Sequence, residues 1–501
     1  MLPAACVISL GAFLAFGPSI RHRISIFQAA KLRDCAAPPR LPSKDPIFGL
    51  DTGLVNLRWM RENRRIREIY KQVQTYGKTF ESWPFGRRVI TTADARNIQH
   101  VLATEHEKFG VGPVRELAQT PMTGKGIITS DGGVWAHGRS LIRPTFTRSQ
   151  IADRVMIEGH VDRFLDAVDD AQRADVGVDL QPWFDRLILD ASSEFTFGES
   201  FHSLSPDCSI DSQAFLDCFA YAQKGVGLRV LMGKMSFLLR DRRFWDSCRV
   251  IREYTQKHVD RALSHRRQGS QELNDKDAHE KYILIHEMAK ETTDRHVLCS
   301  QLLNVFFAGR DTPAVALANI FFCLARHPEV WERIRAEVAG LQIDDLTFER
   351  LKSLRYVQHT INEALRLYPP VPNQSRGCLA PTMLPFGGEP DGPSPICVVP
   401  GDTISMPFFT LHRNPEVFEH DPQAFRPDRW KTIRPSWEYL PFGGGARHCP
   451  AQQLALYWIA YTIVRMAIKC RGIENKDEVE EFVESLKLNM ESANGVKVKL
   501  V

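Results

Sequence analysis

The chain has 501 residues, of which 43% are hydrophobic and 25% charged, and its 64 basic and 60 acidic residues leave a net charge of +4. So even a balance excludes a basic nucleic-acid platform or an acidic tail, and the composition is that of a globular protein with a large core. Eleven cysteines, an odd number with no Cys-x-x-Cys pair, exclude a disulfide framework and a zinc finger and point to a reducing compartment.

The first element is apolar. From Leu2 to Ile20 no residue is charged, and nineteen residues at helical rise reach roughly 28 Å, about the thickness of a bilayer core. Arg21, Arg23, Lys31 and Arg33 follow, which predicts a single-pass anchor with the remaining chain on the cytosolic side. A cleaved signal peptide is the alternative, opposed by the missing basic n-region. The stretch Ala36-Ala37-Pro38-Pro39-Arg40-Leu41-Pro42 predicts a stiff extended connector. The expected division is therefore an anchor over 1–20, a basic and proline-rich hinge over 21–50, and one large domain over 51–501.

Within that domain, Thr79 to Thr92 predicts two short strands around Phe85-Gly86. Val161, Phe164, Leu165 and Val168 recur at helical spacing, as do Leu354, Val357 and Ile361 around the polar Gln358. Gly269 to Glu280 is polar and reads as a surface loop between two long helices. Gly387-Gly388 and Gly392 to Pro395 mark turns in a strand-rich region ending near Trp430. The fold class that results is mainly α with a small β region.

One loop stands apart, PFGGGARHCP over 441–450. Its glycines permit a tight turn and close approach to a flat ligand, and Pro450 suits the first position of a new helix bearing Leu454, Trp458 and Tyr461 on one stripe. A cysteine at such a helix start is expected to be held as a thiolate, the metal-binding form. One sulfur without a second cysteine or paired histidine fits a single axial ligand to haem better than a zinc site. Taken as local chemistry alone, a phosphate-binding glycine loop remains open, although the Lys-Ser/Thr ending of a P-loop is absent.

The spacing Phe442-x-x-Gly445-x-Arg447-x-Cys449 resembles the haem signature of the cytochrome P450 family, the haem-thiolate monooxygenases. The resemblance implies that family's fold, a single large haem domain behind a membrane anchor, with Cys449 as axial ligand to the iron of haem. Where the family commonly has glycine two residues after the cysteine, this chain has Ala451. Glu363-Ala364-Leu365-Arg366 taken alone reads as a surface ion pair of little worth. It also resembles the family's Glu-x-x-Arg, which implies a buried charge network completed by Arg429. Trp135-x-x-x-Arg139 looks like the family's propionate-binding helix. With Arg376 and Arg447 it supplies the candidate partners of the two haem carboxylates.

Ala308-Gly309-Arg310-Asp311-Thr312 resembles the oxygen-groove motif, in which small residues make room over the iron while Asp311 and Thr312 route protons. Read blandly, both would only bond back to the preceding turn. Pro313 replaces a second threonine of the family and predicts a kink that frees the Gly309 carbonyl. Candidate pocket positions are Val111 to Met122, Phe306, Phe307, Val371 to Gln374 with Asn373 among them, and Ser492 to Asn494. Only Arg115 and Glu116 are charged there, so an apolar substrate is expected. The segment Gly225 to Leu239 reads either as a membrane-dipping stretch or as a buried amphipathic helix.

The stretches VDLQPWFDRLILDASSEFTFGES, LLNVFFAGRDT and LPFGGEPDGPSP look like the fungal branch that hydroxylates alkanes and fatty acids at or near the chain end. Phe386 stands where that branch usually has arginine, and Gly443, Ala446, His448 and Pro450 also depart from it. These departures leave room for a fungal secondary-metabolite oxidase acting on a terpenoid or polyketide. The resemblance implies electrons from NADPH through a separate cytochrome P450 reductase, with cytochrome b5 as an alternative donor, and docking at basic residues such as Arg143, Arg148 and Lys431. It further implies residence on the endoplasmic reticulum membrane, contact with membrane lipid and a lipophilic substrate, with no role for nucleic acid. An oxygen-independent isomerase or dehydratase and a non-catalytic haem protein are the competing classes, both disfavoured by the Asp311-Thr312 pair.

Overall fold

The computed structural model describes residues 21–147, 154–172, 177–205, 210–269, 283–389, 392–419 and 421–501. The expected anchor over 1–20, the core of the expected loop at 270–280, and Arg148 lie outside these residues. Among the described residues no helix is long and apolar enough to cross a membrane.

The domain is mainly helical with small sheets, as the periodicity predicts. Strands β1 (Thr79–Ser82) and β2 (Val89–Thr92) pair antiparallel, Thr79 opposite Thr92, around a turn in which Phe85 and Gly86 both take positive φ. With β3 (Phe109–Gly110), β4 (Gln374–Cys378) and β5 (Thr403–Met406) they form a five-stranded sheet in the order β1-β2-β5-β4-β3. Its register sets Arg376 opposite Ile404 in the middle of the sheet. The proline-rich connector is extended and lies against this sheet region, bridging at Ala36 and Arg40, with Leu41 buried. The last strand of the strand-rich region ends at Met406 rather than near Trp430, because Pro407 closes it and a short helix, Phe408–Leu411, follows.

Seven helices frame the site: α1 (Gly112–Thr123), α2 (Gly132–Ile142), α3 (Leu180–Phe197), α4 (Ile210–Met232), α5 (Arg295–Arg326), α6 (Arg355–Leu367) and α7 (Gln452–Lys469). Helix α5 is 32 residues long, capped by Asp294 whose carboxylate accepts from His296 N and Val297 N. Every residue from Pro313 to Ala325 is buried, and this half is apolar except for Asn319, whose amide donates to the Tyr368 and Met490 carbonyls at 3.0 Å, as suits a core-crossing helix. It packs on α3, where Phe184 and Phe321 approach to 5.1 Å between ring centres.

Pro313 does not break α5. The helix runs from Arg295 to Arg326 with no non-helical residue at Gly309 to Pro313, so the proline is accommodated within a continuous helix. Pro313 still lacks an N–H, so the Gly309 carbonyl loses its regular partner by covalent structure alone.

Candidate functional site

The cysteine loop is held by its backbone. Cys449 N donates to the Phe442 carbonyl at 3.0 Å and His448 N to that of Gly445 at 3.2 Å. Gly443 and Gly445 take φ of 71° and 67°, and a Cβ on Gly445 would stand 1.8 Å from the Leu102 carbonyl oxygen. Only glycine fits there. Helix α7 begins at Gln452 with Ala451 as its cap, so Pro450 belongs to the turn before it and not to the first helical position. Leu454, Trp458 and Tyr461 are buried on α7 as expected.

Burial pushes the Cys449 thiol up from its ordinary value, opposed by the Ala451 N–H and the charge of Arg139. A cation coordinated by the sulfur would add to those two influences in favour of the thiolate.

Helix α2 clasps the loop through both residues of the Trp-x-x-x-Arg pair. The Arg447 guanidinium lies 4.4 Å from the centre of the Trp135 ring, and Arg139 Nη1 donates to the His448 carbonyl at 3.1 Å. Arg447 also donates to Asp131 at 2.6 Å, whose carboxylate accepts as well from Val111 N and Gly112 N. Arg376 and Arg115 complete this cluster. Burial, then the like charges of Arg115 and Arg447, bring Arg376 down to about 9. Burial, then Arg447, brings Arg115 down to about 10. Asp131 is the one acid that opposes these effects. One buried and two half-buried guanidiniums, Arg376 with Arg115 and Arg447, stand around one engaged carboxylate and lack negative charge, and two further carboxylates are what the cluster would accept. Haem carries two, so the residues present fit it.

Arg115 also lines a cavity of about 550 Å³ that reaches Ala308, Thr312, Val371 and Asn373. Thr312 Oγ1 donates to the Ala308 carbonyl at 2.8 Å, which leaves its lone pairs free to accept. Asp311 Oδ2 accepts from Gln223 Nε2, and Arg310 Nε stands 3.3 Å from Asp311 Oδ1. A side chain on Gly309 would meet nothing within 4 Å. That is open space.

Phe306 is not a pocket residue. It is fully buried in an aromatic core with Phe197, Phe215 and Phe219, at 5.2, 5.7 and 5.3 Å between ring centres. Its neighbour Phe307, a helical step of about 100° around α5, lines the cavity instead. The Ser492 to Asn494 segment is likewise replaced by Leu486 to Asn489, the hairpin turn just before it. Phe386 stacks against the Arg96 guanidinium at 3.6 Å and is absent from the cavity wall, so its departure from the fungal pattern concerns packing.

Glu363 and Arg366 on α6 are completely buried. Arg366 donates to both Glu363 oxygens at 2.9 and 2.8 Å. Glu363 also accepts from Arg429 Nε at 2.8 Å, Trp430 Nε1 at 2.9 Å and Arg426 N at 2.9 Å. Burial alone would raise this carboxyl, but the two arginines and the Arg426 N–H hold it below its ordinary range. The network reaches the cysteine loop through His412. The His412 carbonyl accepts from Arg366 at 3.0 Å, and its Nε2 accepts from Leu440 N at 2.9 Å. Burial, then the charges of Arg366 and Arg413, push His412 down to about 3, so it is the neutral acceptor that Leu440 N requires.

A mainly helical domain, a glycine-built cysteine loop and a buried cationic cluster beside a cavity define a haem-thiolate enzyme. The chain belongs to the cytochrome P450 family, whose model matches residues 45–485. It is 37% identical over 500 residues to cytochrome P450 monooxygenase himC of Aspergillus japonicus, covering 98% of this chain and 89% of that one. It is 36% identical to cytochrome P450 monooxygenase fsdH of Fusarium heterosporum, over 92% of this chain and 82% of that one. It is 34% identical to cytochrome P450 52A12 of Debaryomyces hansenii, over 93% and 92%. When bound, haem supplies the iron at which dioxygen is reduced and one of its atoms passed to a substrate.

Proposed function

We propose that this monooxygenase hydroxylates a lipophilic, long-chain aliphatic substrate. One oxygen atom of dioxygen enters a C–H bond and the other leaves as water, with two electrons from NADPH delivered by cytochrome P450 reductase. The observation that carries this reading is the cavity wall: from Thr312 and Ala308 it continues along an apolar stretch of Phe307, Val226, Val230, Leu231, Val371 and Leu488, the kind of lining that takes an apolar chain.

In this reading Cys449 ligates the iron, with Phe442 and Gly445 shaping its loop, and Arg115, Arg139, Arg376, Arg447 and Trp135 hold the haem carboxylates. Asp311 and Thr312 hand protons inward, and Gly309 leaves room for the small reacting species. Glu363, Arg366 and Arg429 are structural. Val371 and Asn373 contact substrate. Electrons arrive at the face carrying Arg143 and Lys431, and the enzyme works at the endoplasmic reticulum membrane, held by residues 1–20. A terpenoid or polyketide oxidase of a biosynthetic pathway is the second reading, left open by Gly443, Ala446, His448 and Pro450, which depart from the alkane and fatty-acid branch.

The test is turnover of alkanes, fatty acids, terpenoids and polyketides by reductase-supplemented membranes, read by mass spectrometry. Hydroxylated aliphatic products that require NADPH and dioxygen support the reading, whereas turnover confined to ring-bearing lipids supports the second. In the same assay Thr312→Ala should continue to consume NADPH while product per NADPH falls at least about tenfold and peroxide rises, since a positioned proton donor contributes a factor of roughly 100 or more. Unchanged coupling would remove Thr312 from the proton path.

A further inference from the structure

The apolar cavity has a cationic end. Arg65, at the start of the helix Arg65–Tyr76, and Arg87, beside the start of β2, both line it together with Thr312. Neither guanidinium makes a hydrogen bond or ion pair to any described residue, and Arg65 Nε is fully buried without a partner. Some other enclosed arginines of the fold are ion-paired instead. Arg88, next in sequence, is paired to Glu81 at 2.7 Å and Asp402 at 3.1 Å, and Arg366 is paired to Glu363.

Among the described residues, the acids near the pair are already engaged by other donors. Glu484 is the acid that acts on Arg65, but its two oxygens accept Ile66 N at 2.6 Å and Arg67 N at 3.0 Å. Asp51, also on the cavity wall, accepts from Ser43 Oγ and Lys44 N. Lys487, the remaining cation of this wall besides Arg115, is paired to Glu491 at 2.6 Å. Enclosure lowers both arginines from their ordinary value, and in Arg65 the repulsion from Arg87 adds to it. Two unpaired guanidiniums in a partly dry wall are costly unless an anion joins them.

We infer that Arg65 and Arg87 form a carboxylate-binding subsite, so that the substrate is an aliphatic acid held by its head group with the far end of its chain directed toward Thr312. The inference rests on the aliphatic reading above and narrows it from hydrocarbons at large to long-chain carboxylic acids. Arginine suits this task because its planar fork meets both oxygens of a carboxylate. The apolar span between the two ends selects length.

Calorimetric titration of the haem-loaded full-length protein with a long-chain saturated fatty acid, its methyl ester and the alkane of equal carbon number tests it. The acid should bind at least about tenfold tighter than the ester, with the advantage shrinking as salt rises. In Arg65→Gln and Arg87→Gln the acid should lose that advantage while the ester binds as before. Equal binding of acid, ester and alkane to the unsubstituted protein would overturn the subsite and leave the aliphatic reading standing. Binding of none of the three would overturn both.

Discussion

Glu363→Gln should cost about 3–5 kcal/mol of stability and strip the protein of most of its haem. The carboxylate answers Arg366, Arg429, Trp430 and Arg426 N at once. Its removal leaves two guanidiniums in a site where Arg366 has no exposed surface, and an uncompensated buried charge of this kind has that magnitude. Since a domain is stable by about 5–15 kcal/mol, the loss is a large fraction of the whole. The cysteine loop is tied to this network through His412 and Leu440, so haem retention should fall with stability.

Thermal unfolding and haem absorbance per chain measure both effects. Replacing the pair together by apolar residues, Glu363→Leu with Arg366→Met, should be milder than the single change; a larger loss in the double variant would contradict a charge-based account. The pH dependence follows from the same carboxyl. Its folded value lies below the unfolded one, so its contribution is complete above the unfolded value of about 4.3 and is lost as pH falls through the folded value.

Gly445→Ala should be nearly as damaging to haem binding. The added Cβ would collide with the Leu102 carbonyl at 1.8 Å, and φ of 67° disfavours any side chain. A left-handed non-glycine residue costs about 1–2 kcal/mol before the clash is counted, and backbone cannot step aside as a side chain does. The loop must shift, and Cys449, four residues on, shifts with it. Haem content should drop at least about tenfold with the helical content retained. Gly133→Ala, where a Cβ meets nothing within 4 Å, should leave haem content unchanged. Equal haem content in the two variants would refute the close-approach argument.

What the sequence carried and what it hid divide on physical lines. The cysteine loop and the α2 helix were legible because their function depends on fixed local spacing. The Glu363-Arg366 pair, which local spacing alone reads as a surface ion pair, and Arg429 were legible as a buried network only by resemblance, and the contact of Arg429 with Glu363 over 66 residues of chain is present. His412 was not legible as a link, because its partners are a backbone N–H and a guanidinium contributed by distant segments. Arg115 was read as part of the substrate loop, and only its proximity to Arg376 and Arg447 reveals a second allegiance. Local rules failed at Phe306 because of tertiary packing: which of two adjacent phenylalanines meets the cavity depends on the rotation of α5.

The central claim is that the sulfur of Cys449 holds the iron of the haem. The most direct test is the absorption spectrum of the purified protein, reduced and exposed to carbon monoxide. A strongly red-shifted Soret band in the native chain, absent from Cys449→Ala and Cys449→His, is the expected result. A haem-loaded native protein whose carbonyl band lies at the position given by histidine ligation would contradict it.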